Sequence, residues 1–133
     1  MGKRVLSVVV VFVVAMLLGF VVHGVILHGD YLQLPNLVRG EGDQQGHFVW
    51  MITAHVLMAI GLTWIYVRGR EDRPWLGQGL RFGFAFAVAS TIPVYLIYYA
   101  VMPFPPGLVM KQIALDTVSA LVIGVTVAAM NRK

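Results

Sequence analysis

One acidic residue falls deep inside an apolar stretch. Asp116 sits in Val109-Met110-Lys111-Gln112-Ile113-Ala114-Leu115-Asp116-Thr117-Val118-Ser119, within the last long apolar run of the chain. Placing a carboxylate near the centre of a bilayer costs about 2.5–3.5 kcal/mol on insertion scales, so such a residue faces a bundle interior, a partner chain or water. Gln112 and Ser119, at i−4 and i+3, share its helix face. His55 is the expected partner. It lies eight residues into its own apolar segment, and Asp116 lies eight residues beyond Leu108, each roughly 12 Å deep at the helical rise. Pro93 falls about 13 Å inward from Met102, and Gly19, Ser90 and Thr91 fall near the same level. Half of a hydrocarbon core is ~15 Å, which puts this layer near the midplane. Two roles fit: a His55–Asp116 pair that takes up and releases a proton or holds a cationic or polar ligand, or a neutral interhelical hydrogen bond that fixes packing. Pro93 frees the carbonyl of Ala89, which Ser90 or Thr91 can satisfy.

A second polar group gathers at the outer mouth: His23, His28, His47, Lys111, Tyr95, Tyr98 and Tyr99. His23, Lys111 and the tyrosines would line the entrance to the midplane site; an interfacial aromatic belt is the plainer reading of the tyrosines. His28, His47 and Asp30 would supply ligands to a metal if the first hairpin brought them together; otherwise they are interfacial side chains. Nothing in the sequence requires a cofactor. A haem needs two histidines on facing helices at matching depth, and His23 and His55 differ by about 6 Å.

The elements that position these residues follow from hydropathy. The chain has 133 residues, 59% of them hydrophobic and only 12% charged, about half the charged fraction of a soluble domain. The excess apolar surface has to face lipid, in a single integral membrane domain over residues 1–133. Four apolar segments, at about 5–27, 47–67, 80–102 and 108–130, each approach the ~20 residues that cross a bilayer. The first is too long for a signal peptide, and no small-residue cleavage site follows it. Amphipathic residues between the first two segments predict a short surface helix beginning near Pro35.

Basic residues fix the orientation. Lys3, Arg4, Arg68, Arg70, Arg73, Arg81, Arg132 and Lys133 fall on one side, against Arg39 and Lys111 on the other, so both termini are expected in the cytoplasm. The pI of about 9.8 therefore reads as a topology signal rather than as nucleic-acid binding. With no cysteine, thiol chemistry and disulfide-oxidase function are excluded. No phosphate-binding loop, zinc-protease or nucleophile-elbow motif is present. Small residues recur every four positions at Ala15 and Gly19, at Gly79, Gly83 and Ala87, and at Ala120, Gly124 and Ala128, marking close helix contacts.

At His23-Gly24-x3-His28-Gly29-Asp30-Tyr31, Ala54-His55-Val56-Leu57, Trp64-Ile65-Tyr66, and Tyr95 through Lys111-Gln112 and Asp116, the chain resembles an uncharacterised family of small four-span bacterial inner-membrane proteins. The resemblance implies the architecture and the bacterial inner membrane, and brings no activity with it. The expected fold is thus an all-α integral membrane four-helix bundle with both termini inside and a short surface helix in the first outer loop. The leading functional expectation is a small ligand- or ion-handling membrane protein, homo-oligomeric because four helices seldom enclose a pathway alone. Its rivals are a non-catalytic accessory subunit of a larger membrane complex and a metal-dependent membrane enzyme.

Overall fold

The computed structural model describes residues 2–133, and the regular structure of the described chain is all helical, with no strand. Four helices are long and apolar enough to cross a membrane: α1 (Gly2–Ile26), α4 (Phe48–Gly69), α5 (Trp75–Val101) and α6 (Pro106–Met130). Two short helices, α2 (His28–Leu32) and α3 (Glu41–Gly46), lie between the first pair. Side by side, the long helices run in the order α4, α1, α6, α5. Both described chain ends meet at one end of the bundle, where Lys3 Nζ donates to the carbonyl of Arg132 at 3.1 Å. We call this the terminal end, and the opposite one, which carries α2, α3 and the α5–α6 turn, the loop end.

The closest helix pair is α5 with α6. The small residues on both helices explain it. Gly79, Gly83 and Ala87 face Ala120, Gly124 and Ala128, and all are buried. A Cβ on Gly79 would fall 2.7 Å from the Ala128 Cβ, and one on Gly124 would fall 2.6 Å from the Gly83 Cα, so only glycine lets the backbones approach this far. The main apolar cluster lies toward the terminal end and joins Val11 and Ala15 of α1, Ala59, Leu62 and Tyr66 of α4, and Ile123, Val127 and Ala128 of α6. Tyr66 is buried edge-on against Phe82, with ring centroids 5.3 Å apart. Asn131 closes this end. Its buried amide donates to Ser7 Oγ at 2.7 Å and to the Val127 carbonyl at 2.8 Å, while its own carbonyl accepts from Arg70.

Two sequence expectations are corrected. The third long helix starts at Trp75, not near Leu80, because Pro74 supplies an N-terminal cap position and the glycines at 77 and 79 are carried within the helix. No helix starts at Pro35. That residue opens a single turn, in which the Leu37 and Val38 amides both donate to the Leu34 carbonyl, and extended Gly40 ends it. The amphipathic residues there are used differently: Tyr31 and Leu34 fold back onto Val22, Leu27 and Leu108, capping the loop end.

The regular α pitch is interrupted twice. Phe20–Ile26 at the end of α1 and Ala87–Thr91 within α5 wind as π-helix. The second precedes Pro93, whose missing N–H and bulky ring disturb the turn before it. π turns are rare and tend to occur where function asks for a side chain to be re-aimed.

Candidate functional site

Asp116 is the centre of a polar network near the loop end. It projects from α6, ten residues after Pro106, with its side chain 18% exposed. Its Oδ2 lies 3.0 Å from Nε2 of His23, which the first π stretch carries. The same oxygen accepts a short hydrogen bond from the Tyr95 hydroxyl, on α5 just beyond the second π stretch. Tyr95 Oη also lies 3.4 Å from His23 Nε2, so three side chains from three helices meet at one carboxylate oxygen.

The network continues toward the loop end. His23 Nδ1 lies 2.6 Å from the Tyr31 hydroxyl of α2, and the two rings stack with centroids 5.9 Å apart. Gln112 Nε2, one turn before Asp116, donates to the same hydroxyl at 3.1 Å. Beside it, Lys111 holds Asp30 at 3.1 Å, so adjacent residues of α2 and α6 pair twice. The donors and acceptors close consistently in one arrangement. Gln112 donates to Tyr31, Tyr31 donates to His23 Nδ1, and His23 Nε2–H and Tyr95 both donate to an ionised Asp116. Burial pushes the Tyr31 phenol above its ordinary range; the Gln112 hydrogen bond opposes this, and the carboxylates of Asp116 and Asp30 add to it. Tyr31 therefore serves as a neutral hydrogen-bonding link.

The expected His55–Asp116 pair is not formed. His55 Nδ1–H donates to the Met51 carbonyl of its own helix at 2.8 Å, and its Nε2 faces Gly19. The depth count failed because it set the mouths of all helices at one level. Asp116 lies ten residues from the start of α6 yet meets His23 only three residues from the end of α1, so the start of α6 stands further toward the loop end than the end of α1. His23 and Tyr95 are three and six residues from the loop-end termini of their helices, and Asp116 is ten residues from its own.

Other expected residues lie apart from it. Ser119 Oγ donates back to the Leu115 carbonyl at 3.1 Å. Thr91 belongs to the second π stretch, and Tyr98 and Tyr99 are about half exposed and outside the network. His28, His47 and Asp30 do not converge. His28 lies 3.7 Å from Glu41, His47 lies 3.3 Å from Asp43, and Asp30 is taken by Lys111. Among the described residues no three His, Asp or Glu side chains come together.

Tyr31 is not among the site residues expected from the sequence. The signal was present in the adjacency of charges. Pairing Asp30 with Lys111 brings their neighbours Tyr31 and Gln112 together. No family model, characterised protein or solved structure matches the chain.

Proposed function

We propose that this chain is a small proton-handling membrane protein, in which Asp116 and His23 take up and release a proton exchanged with the loop end through Tyr31. The observation that supports it most is the closed hydrogen-bond chain Gln112–Tyr31–His23–Asp116–Tyr95. Its polar groups are bonded to one another. A larger ligand has to displace a bond to enter, whereas a proton needs no cavity. Adding one proton at His23 Nδ1 reverses the Tyr31 hydroxyl, which then accepts from both Gln112 and His23 instead of donating. A proton placed on the carboxylate instead occupies an oxygen that otherwise accepts. Either change is local and reversible, and each alters the charge beside an apolar bundle.

The wider reading carries the topology with it. Both termini lie in the cytoplasm of a bacterium, the loop end faces outward from the inner membrane, and the chain works as a homo-oligomer, coupling the proton to the passage of a small cationic or polar ligand. Toward the terminal end the core is apolar, from Val11 through Ile123. Exchange across the membrane therefore requires the helices to rearrange.

Infrared difference spectroscopy tests the site directly. The detergent-solubilised protein is stepped between about pH 8 and 5, the range where imidazoles change charge. A protonation band assigned to a carboxyl or imidazole group should appear in the wild type, be lost in Asp116→Asn, and shift in Tyr95→Phe. Asn retains an acceptor oxygen at the same place, so the fold should persist. An identical spectrum from folded Asp116→Asn would overturn the reading and leave the accessory-subunit alternative in its place.

A further inference from the structure

The terminal end carries a cleft of about 280 Å³ whose charged side chains are all basic: Lys3, Arg4, Arg70, Arg132 and Lys133. We propose that it binds the phosphate of an anionic glycerophospholipid headgroup. The proposal rests on the four helices spanning a bilayer, and is independent of the proton site.

Three observations carry it. The first is convergence. The cations come from the start of α1, the α4–α5 loop and the end of α6, three segments that folding alone brings around one opening. A topology signal needs positive charge on one side of the membrane but does not need it gathered. The second is the lack of compensation. None of the five forms an ion pair among the described residues. Lys3 and Arg70 donate to the backbone carbonyls of Arg132 and Asn131, and the Arg132 guanidinium lies 5.7 Å from the centre of the Trp75 ring. Those partners are neutral. Arg4 makes no hydrogen bond or ion pair among the described residues. Arg70, Arg132 and Lys133 also border a neighbouring cleft that carries Glu71 and Asp72, but Glu71 is held by Arg73 at 2.7 Å and neither acid pairs with any of the five. The third is scale and level. The volume is below the roughly 300–1,000 Å³ of drug-sized sites, which suits a small group such as a glycerol phosphate. It opens at the helix ends, where headgroups lie. Arginine forks suit phosphate oxygens bidentately, and the lysines add point charge.

Native mass spectrometry of the full chain in neutral detergent tests this, with dioleoyl phosphatidylglycerol, dioleoyl phosphatidylcholine or glycerol 3-phosphate added. One phosphatidylglycerol should be retained per chain in preference to phosphatidylcholine. Arg4→Gln and Arg70→Gln should each weaken retention about fivefold, from the contribution of one basic group near a lipid phosphate. Arg68→Gln should leave it unchanged, because Arg68 is outside the cleft, over Trp64. Equal weakening by Arg68→Gln, or no preference for the anionic lipid, would overturn the site in favour of diffuse surface attraction. Glycerol 3-phosphate competing as well as the lipid would keep phosphate recognition and overturn the lipid as its source. Should Arg70→Gln fail to fold for want of its bond to Asn131, Arg4→Gln decides. Asp116→Asn should bind lipid as the wild type does, so this result and the infrared result stand or fall separately.

Discussion

Adding one methyl group at Gly83 should cost far more than the same change at Gly61. A Cβ on Gly83 would sit 2.8 Å from the Leu121 Cα and 3.0 Å from the Ala120 carbonyl carbon. Non-bonded carbons rest at about 3.5–4.0 Å, so α5 and α6 must separate by roughly 1 Å. Such overpacking costs about 1–3 kcal/mol. Gly61 lies inside α4, and a Cβ there meets nothing within 4 Å. Both substitutions gain the helix propensity of alanine over glycine, about 1 kcal/mol, which cancels in the comparison. The difference between Gly83→Ala and Gly61→Ala should therefore be about 1–3 kcal/mol, or about 5- to 150-fold in the folding equilibrium. Titration with a denaturing detergent, followed by tryptophan fluorescence or circular dichroism, reads it. A second readout follows from geometry. Tyr95 lies twelve residues further along α5 than Gly83, about 18 Å at the helical rise. Parting the two helices should lengthen the Tyr95–Asp116 bond and shift the protonation band. Equal stability of the two variants would refute the claim that the glycine seam sets the helix spacing.

Three further outcomes are expected. His23→Gln should change the infrared protonation signal, while His55→Gln should leave it in place, because His55 bonds only within its own helix; the reverse result would return the site to α4. The Tyr31 phenol should ionise later than an ordinary tyrosine, and a difference ultraviolet titration against Tyr31→Phe isolates it. The folded state then holds that proton more tightly than the unfolded state, so its contribution to stability is complete below about pH 10 and declines as pH rises above that value. A phenol in that difference titrating at or below the ordinary range would contradict the buried link. Asn131→Ala should destabilise the bundle by about 1–3 kcal/mol, since it removes two hydrogen bonds from a buried group and leaves Ser7 without its partner; detergent titration measures it, and a change below about 0.5 kcal/mol, the range of ordinary surface substitutions, would count against that closure.

Apolar length alone made the four long helices legible, and the four-residue spacing of Gly79, Gly83, Ala120 and Gly124 marked a close contact without saying which helices make it. That Asp116 requires polar company followed from the cost of its charge. Which company it has did not, because depth counted along each helix assumes aligned ends, and here the start of α6 stands beyond the end of α1, with Tyr31 and Leu34 packed over the step. The π stretches were likewise invisible: Pro93 marks a disturbed turn, but no comparable signal marks Phe20–Ile26. The histidines of the first loop could have been metal ligands by composition. In the structure His28 lies beside Glu41 and His47 beside Asp43, so the two histidines are placed apart by neighbours that the composition alone did not single out.

The π winding at Phe20–Ile26 also bears on how this chain tolerates insertion and deletion. An α-helix advances about 100° per residue, so a π turn accommodates roughly one residue more than the surrounding helix would. Losing one residue from that stretch would let α1 close into regular pitch while leaving His28, Asp30 and Tyr31 near their present phase about the helix axis, so the two latches to α6, Lys111–Asp30 and Gln112–Tyr31, would persist. The side chains inside the stretch would be re-aimed, and His23 would lose its contacts with Tyr31 and Asp116. A single-residue deletion in the regular part of α1 would instead turn one half of the helix against the other by about 100°. Length variation among related chains should thus be tolerated on the first helix only at Phe20–Ile26, and the extra residue there should be inherited together with His23, Tyr31 and Asp116, the side chains it brings together.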